Sequence, residues 1–167
     1  MTRHSDGCAT WHHELVAGIV ASYHECVYVE IGILYAACWN IAAPMAGEAH
    51  GVDPDARSGP PMTAEGLFWN VGSDEFFQIY DGSPPDVIFV DGEHVGPQVD
   101  RDVDNALALL APYGTIVMHD TQPMLKDAKR TDLCGTVWET LERLERDDSL
   151  QIFTFQRFPG ITLIRKR

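Results

Sequence analysis

The sequence predicts an α/β fold in which a mostly parallel sheet carries helices on both faces. Short runs rich in Val, Ile and Phe, typical of buried strands, alternate along the chain with stretches of helical periodicity. Such alternation is typical of parallel strands joined by crossover helices, whose sheet is buried on both sides. The last two apolar runs, QIFTF and GITLIRK, are separated only by a short turn, which indicates that the final strand runs antiparallel.

The predicted elements alternate along one domain that spans residues 1–167 and begins with an N-terminal helical segment, residues 1–25. Predicted strands cover residues 26–33, 48–54, 67–72, 86–92, 114–120, 151–155 and 160–166. Predicted helices cover residues 9–24, 34–43 (stopped by Pro44), 73–80 (with Ser73 as N-cap), 96–110 and 134–146. Residues 56–66 are rich in Gly and Pro and are predicted to be a loop.

Two of these helices carry patterns that bear on function. The apolar positions of the helix over 96–110 recur at helical spacing and are Val99, Val103, Ala106, Leu107 and Leu110. Its polar positions, predicted to fill the opposite face, are Asp100, Arg101, Asp102 and Asp104. The motif WHHE at 11–14 is interpreted as an exposed helix start rather than a metal site, because adjacent histidines on a helix point in different directions.

Composition and charge disfavour several classes of protein. The hydrophobic content of 45% is that of a globular protein, and no apolar run approaches the ~20 residues that a membrane helix needs. The N-terminal residues lack the apolar stretch of a secretory signal, so a cytoplasmic protein is expected. The formal net charge of −13 argues against a nucleic-acid partner, whose phosphates would be repelled. The four cysteines form no CxxC pair, which disfavours a zinc site or a redox motif.

Every predicted parallel strand delivers an acidic residue to its carboxyl end. The residues at these ends are Glu30 and Gly32, Asp53, Ser73 and Asp74, Asp91, and His119 and Asp120, in the order of the first five strands. In open α/β sheets, ligands bind beyond the carboxyl ends of the strands. The recurrence therefore predicts one acidic binding site along that edge of the sheet.

The spacing of Gly32 and Asp53 predicts a nucleoside ligand. A glycine after the first strand lets a ligand approach the backbone, and an acid about 20 residues later can accept both ribose hydroxyls. Asp53 follows Gly32 by 21 residues. The loop reads EIGILYAACW and has no GxGxxG, whose glycine backbone a pyrophosphate needs. The pattern favours a nucleoside without phosphates, such as S-adenosylmethionine, over a dinucleotide.

Several segments, taken in order, resemble the small bacterial class I S-adenosylmethionine-dependent methyltransferases, in particular the sugar and antibiotic-tailoring O-methyltransferases. These segments are EIG, GVDPD, SDEFF, DVIFVDGEHVGPQVDRDVDNAL, GTIVMHDTQP and CGTVWETLERL, and the resemblance runs from about Val27 to the C-terminus. It implies a Rossmann-like sheet of seven strands whose seventh is antiparallel. It also implies methyl transfer from S-adenosylmethionine to a hydroxyl of a small molecule of sugar or natural-product type.

The resemblance further assigns positions in the cofactor site. Glu30 and Gly32 are expected at the methionine part of the cofactor, Asp53 at the ribose, Ser73 and Asp74 beside the adenine, and Asp91 facing the reacting methyl group.

The resemblance also raises the question of a metal. In metal-dependent relatives, acids matching Asp91 and Asp120 hold a divalent cation such as Mg²⁺, a hard ion that prefers oxygen ligands. Two positions depart from the family pattern. His119 stands where some relatives have another acid, and Ala36 stands where a second glycine of the first loop is usual.

The expected reaction is a direct displacement at the methyl group, in which the protein aligns the reactants and removes a proton. His94 is the first candidate for the base and His119 the second, with Asp120 beside them, because histidine titrates near neutrality. Structural alternatives stay open. They are a capping role for His94, a turn role for Asp91 in the DG pair, and an N-cap role for Asp120 before TQP.

Two other functions are weighed against methyl transfer. Ala36 and the short segment before the first strand motivate a degenerate member that keeps the fold as a binding or assembly module. A nicotinamide dehydrogenase is disfavoured by the missing glycines. A homodimer is a further hypothesis, because the chain has few insertions and a partner subunit would complete the substrate site.

Overall fold

A computed structural model describes residues 11–55, 66–124 and 133–167. Its strands are β1 Val27–Ile31, β2 Glu48–Val52, β3 Gly66–Trp69, β4 Val87–Val90, β5 Thr115–His119, β6 Leu150–Phe155 and β7 Ile161–Lys166. They form one seven-stranded sheet in the order β3-β2-β1-β4-β5-β7-β6. The first five strands pair in parallel, and β7 is antiparallel to both β5 and β6. The predicted mostly parallel sheet with an antiparallel last strand is confirmed.

Helices cover both faces of this sheet. They are α1 Trp11–Ala21, α2 Trp39–Ala42, α3 Ser73–Ile79, α4 Gly96–Leu109 and α5 Val137–Leu144, with a short 3₁₀ helix, Ala43–Met45, after α2. Residues of α1 and α2 form one apolar core with the sheet, and residues of α3, α4 and α5 form the other. Across the described ranges, none of these helices has the length and apolar character needed to cross a membrane.

Strand β4 explains why the sheet requires two helical layers. Ile88 and Val90 belong to the core under α3–α5, whereas Val87 and Phe89 belong to the core under α1 and α2. All four side chains are buried. Because successive side chains of a strand point to opposite faces, a strand that is apolar at every position is stable only between two covering layers.

The loop after β1 differs from the predicted helix over 34–43, of which α2 covers only the second half. Leu34 and Ala36 have φ angles of 43° and 59°, which lie in the left-handed region that a right-handed helix excludes. The cause lies in Asp53, whose Oδ2 accepts the backbone N–H groups of Ile33 and Leu34 at 3.0 and 2.9 Å. These two N–H groups are therefore satisfied by a side chain from the end of β2.

Two predicted helix positions are also wrong. Gly72, not Ser73, is the N-cap of α3, and it makes no side-chain cap bond. The Ser73 hydroxyl instead donates to Asp102 Oδ1 at 2.6 Å. Asp102 itself is 1% exposed, whereas the sequence predicted it on the solvent face because its side chain is polar. It follows Val99 by one helical turn, so it shares the buried stripe of α4.

We predict that Ile88→Ala lowers the free energy of unfolding by about 3 kcal/mol, because it leaves a cavity between two packed layers. Ile88 is fully buried, whereas Ile79 on α3 is 49% exposed. The matched control Ile79→Ala is expected to change the free energy by less than about 0.5 kcal/mol. Urea unfolding followed by circular dichroism measures both, and equal losses in the two variants would contradict the two-layer packing.

Candidate functional site

A cavity of about 730 Å³ opens at the carboxyl ends of the parallel strands. All nine residues selected from the sequence line it: Glu30, Gly32, Asp53, Ser73, Asp74, Asp91, His94, His119 and Asp120. The acidic edge predicted from the strand ends is thus a single cavity. The roles of the nine residues stay predictions.

Gly32 brings the ends of β1 and β4 together at the base of this cavity. Its φ angle is 90°, and a Cβ at this position would lie 2.2 Å from the Asp91 carbonyl oxygen. Any other residue would therefore clash with backbone, so the glycine is required by the protein's own packing as well as by its place in the cavity lining.

Asp53 holds the loop after β1 while it lines the cavity. Besides the two bonds accepted by Oδ2, its Oδ1 accepts the backbone N–H of Asp55 at 2.8 Å. A carboxylate offers about four lone-pair directions, so three accepted bonds leave capacity for a further donor such as a hydroxyl.

Glu30 is one of the two most buried acids of the cavity, with 1% of its surface exposed. Burial raises the pKa of Glu30 to about 8, partly offset by the Tyr28 hydroxyl, which donates to its Oε2 at 2.6 Å. Glu30 is therefore largely neutral at pH 7 in the free protein. A positively charged group bound beside it would favour its ionised form.

Ala36 does not narrow the cavity, although a glycine is usual there in the family that the sequence resembles. Its side chain is buried in the core formed with α1 and α2. Ala37 and Cys38 line the cavity, whereas Ala36 is absent from the lining drawn from the described residues. The cost of alanine here is conformational, roughly 1–2 kcal/mol for the left-handed backbone.

One end of the cavity is closed by α3 and α4. Gln98 Nε2 donates to Ser73 Oγ at 3.1 Å and to Asp102 Oδ1 at 2.9 Å. Asp74 is more exposed and pairs with Arg101 at 3.3 Å. Sequence reasoning missed Gln98 and Asp102, although both follow the fourth strand closely and the first turns of α4 start at the same edge of the sheet.

Two carboxylates and two imidazoles meet at the ends of β4 and β5, and we name Asp91, His94, His119 and Asp120 the Asp–His cluster. His119 Nδ1 lies 2.8 Å from Asp91 Oδ1 and 3.3 Å from Asp120 Oδ2. His94 Nε2 lies 3.0 Å from Asp120 Oδ2 and 3.6 Å from Asp91 Oδ1. Both rings thus face the same two oxygen atoms.

The capping alternatives for His94 and Asp120 are wrong. The N-cap of α4 is Val95, which makes no side-chain bond, and His94 Nδ1 contacts the carbonyl oxygen of Leu133. Asp120 has a left-handed φ of 60°, and no helix begins in the described stretch 121–124 that follows it. Its carboxylate faces the two histidines and accepts the thiol of Cys134 at 3.3 Å. A turn-forming role alone does not account for the Asp91 side chain, because its carboxylate is paired with His119.

The WHHE motif is not an exposed helix start. His12 is 3% exposed, and its ring centroid lies 4.2 Å from that of His119 and 4.1 Å from that of His13. Both α1 histidines line the cavity. Helical spacing could have predicted the burial of His12, because His12 precedes the buried Val16 by four residues and therefore lies on the same face of α1.

A comparison with known protein families identifies the family of the chain. Residues 29–121, more than half of the chain, match a family described as a methyltransferase domain.

The chain belongs to this methyltransferase family.

Solved structures agree with this assignment at the level of the fold. An O-methyltransferase from Bacillus cereus in complex with SAH has a TM-score of 0.76 at 12% identity, over 99% of this chain and 84% of that one. TomG from Streptomyces achromogenes, an O-methyltransferase involved in tomaymycin synthesis and bound to SAM, has a TM-score of 0.76 at 16% identity, over 95% and 80%. SAH-bound PaMTH1 from Podospora anserina has a TM-score of 0.74 at 17% identity, over 93% and 78%. No curated protein sequence matches the chain.

The predicted class I methyltransferase is therefore confirmed in its family and its fold. The sheet order, the antiparallel seventh strand and the cavity at the carboxyl ends of the strands all belong to that architecture.

The pKa values of the cavity histidines of this methyltransferase are shifted in two directions, upward for His94 and His119 and downward for His13. Burial disfavours the charged form of His119, but Asp91 and Asp120 outweigh burial and raise its pKa to about 10. The same carboxylates raise the pKa of His94 against burial. The pKa of Asp91 is lowered, because His119 and His94 outweigh the effect of burial. Burial lowers the pKa of His13.

Asp91, His94 and Asp120 also form a possible cation site. Each offers one ligand atom, and these atoms lie within 4.8 Å of one another. Two carboxylates balance the charge of a divalent ion, so the set fits such a cation in number, spacing and charge.

We predict that, in metal-free protein treated with EDTA, His119 stays protonated from pH 6.5 to near pH 10, the value to which its pKa is raised. Because a raised histidine pKa stabilises the folded state below it, stability is lost as the pH rises through that value. Long-range ¹H–¹⁵N spectra of the imidazole rings measure the protonation. His13 is expected to be neutral at pH 7. Titration of His119 near 6.5 would contradict the described Asp–His cluster.

Proposed function

We propose that this methyltransferase transfers the methyl group of S-adenosylmethionine to a hydroxyl oxygen of a small molecule of sugar or natural-product type. The observation that carries the proposal is the continuity of one cavity from Asp53, at the end of β2, to the Asp–His cluster, at the ends of β4 and β5. A nucleoside and a reacting hydroxyl need such neighbouring places. The O-methyltransferase of tomaymycin synthesis, which shares the fold, supports a natural-product acceptor.

In the proposed complex, the cofactor lies along the strand ends. Asp53 accepts one ribose hydroxyl with the lone pair that is left on Oδ1, and the region of Ser73 and Asp74 lies beside the adenine. Glu30 and Asp91 face the positively charged methionine part, where a low-dielectric cavity strengthens the attraction. The role of the chain here is to hold the sulfonium methyl in line with the acceptor oxygen.

Proton removal from the acceptor is assigned to His94. Its Nδ1–H donates to the Leu133 carbonyl, so the lone pair of the neutral ring is on Nε2, the atom that faces Asp120. After proton transfer, the Asp120 carboxylate stabilises the imidazolium. His119 is less suited, because its Nδ1 donates to Asp91 and its Nε2 is buried with no hydrogen-bond partner among the described residues.

A divalent cation is part of the proposal as a cofactor held by Asp91, Asp120 and His94. When bound, such an ion lowers the pKa of a coordinated hydroxyl and orients it. The Nε2 lone pair of His94 serves one purpose at a time. It takes the proton in the metal-free protein and binds the ion in the loaded one.

The binding or assembly module is the less favoured alternative. Of its two motives, Ala36 and the short segment before the first strand, the first is weakened, because the Ala36 side chain lies outside the cavity lining formed by the described residues. A single domain over 1–167, a cytoplasmic location, a homodimer and the lack of a nucleic-acid partner stay predictions.

We predict that Asp53→Ala weakens binding of S-adenosylhomocysteine by at least about tenfold. One hydrogen bond to a charged acceptor contributes about 1.5–3 kcal/mol, and about 1.4 kcal/mol corresponds to tenfold. Isothermal titration calorimetry measures the affinity. Asp53→Asn, which keeps one acceptor oxygen, is expected to fall between Asp53→Ala and wild type.

The surface variant Asp81→Ala is the control for this experiment, because Asp81 is exposed. Thermal unfolding of each variant shows whether the protein is still folded and how much stability is lost with the hydrogen bonds of Asp53. Absence of binding heat with the wild-type protein, or unchanged affinity of a folded Asp53→Ala variant, would refute the proposed cofactor site.

We further predict that affinity for S-adenosylmethionine rises as the pH approaches 8 and levels off above it. The pKa of Glu30 is about 8, and the cationic ligand prefers ionised Glu30, so below that pH binding must also expel a proton. The slope is at most about tenfold per pH unit. Glu30→Gln removes this dependence, whereas Glu75→Gln, at an exposed position of α3, leaves it intact. A Glu30→Gln protein with an unchanged pH profile contradicts the assignment.

A further inference from the structure

We propose that His94 is a metal ligand and that the cation site of this methyltransferase selects a first-row transition ion, such as Co²⁺, Zn²⁺ or Fe²⁺, over Mg²⁺. The inference rests on the cation included in the proposed function and goes beyond it by naming the chemical class of the ion. It replaces the expectation of magnesium that followed from oxygen ligands alone.

The orientation of the His94 ring is fixed by a hydrogen bond. The ring donates from Nδ1 to the Leu133 carbonyl, which leaves Nε2 as the coordinating atom. The turn that carries this carbonyl is fixed against His94. Gly135 has a φ of 48°, a Cβ there would lie 2.0 Å from the His94 carbonyl oxygen, and that same oxygen accepts the Thr136 N–H at 3.0 Å.

The second step is the composition of the donor set. Nε2 of His94 lies 3.0 Å from Asp120 Oδ2 and 3.6 Å from Asp91 Oδ1, so an ion that reaches both carboxylates also meets the imidazole nitrogen. Mg²⁺ favours oxygen donors and keeps several waters. Imidazole nitrogen is a ligand that suits iron, copper, nickel and zinc, and affinity of mixed N/O sites rises from Mn²⁺ towards Cu²⁺.

The third step is the support around the two carboxylates. His119 Nδ1 donates to Asp91 Oδ1 at 2.8 Å, and the Cys134 thiol donates to Asp120 Oδ1 at 3.3 Å. The thiol occupies the Asp120 oxygen that does not face the histidines, which leaves Oδ2 directed at the site. Such outer hydrogen bonds orient metal ligands and raise their affinity.

The test is metal binding to the full chain after EDTA treatment, measured with CoCl₂, ZnCl₂ and MgCl₂ by calorimetry and, for Co²⁺, by visible absorption. We expect Co²⁺ and Zn²⁺ to bind at least about 100-fold more tightly than Mg²⁺. His94→Ala and His94→Gln are expected to lose at least about tenfold in Co²⁺ affinity and to change the Co²⁺ spectrum. His24→Ala, at an exposed histidine of the same chain, is the matched control and keeps both.

Three results would overturn the inference: Mg²⁺ binding as tightly as Co²⁺, an unchanged Co²⁺ spectrum in folded His94 variants, or no binding of any of the three ions. Binding of S-adenosylhomocysteine is measured on the same samples. Retained binding confines the failure to the metal, whereas its loss in the wild-type protein refutes the proposed methyltransferase site itself.

Discussion

The pairing of two carboxylates with two imidazoles at the ends of β4 and β5 is the interaction on which the site depends. Parallel pairing of Val90 with Met118 places the residues that follow these strands side by side. Asp91 and Asp120 are therefore forced close together in a largely buried place, where two negative charges repel strongly. Hydrogen bonds and positive charge from His94 and His119 offset that repulsion. Either a bound cation or the protons on the two imidazoles can neutralise the two carboxylates. The occupancy and protonation of the site are therefore linked to the stability of the protein.

The two ends of the cavity have different structural origins. Glu30 lies in β1, Gly32 and Asp53 follow β1 and β2, and Gly32 allows a backbone contact that no other residue permits. The Asp–His cluster receives its neighbours from outside the sheet centre. They come from α1, from the turn before α5 and from Pro159 near β7, which lies beside Cys134. The nucleoside end thus belongs to the fold, whereas the other end is assembled from peripheral elements.

The sequence predicted the sheet well because each strand is marked by its own apolar run and each parallel strand is followed closely by an acid. Local patterns failed where a distant partner decides the conformation. The loop after β1 is not helical because Asp53, 21 residues after Gly32, captures its N–H groups. His12 was misjudged because adjacency to His13 was weighed above its helical register with Val16. Asp102 was predicted on the solvent face because it is charged, although its helical spacing from Val99 places it on the buried face of α4. Neither the contact of His94 with Leu133 nor that of Asp120 with Cys134 leaves any trace in spacing.

The peripheral origin of the cluster's neighbours has a consequence for protein engineering. Randomising positions on α1 and in the turn before α5 would change the shape and polarity offered to acceptors while sparing the strand termini that hold the nucleoside. Libraries directed at His13 and Leu133 would therefore explore new specificities at low risk to folding, whereas substitutions at Gly32 would mostly prevent correct folding.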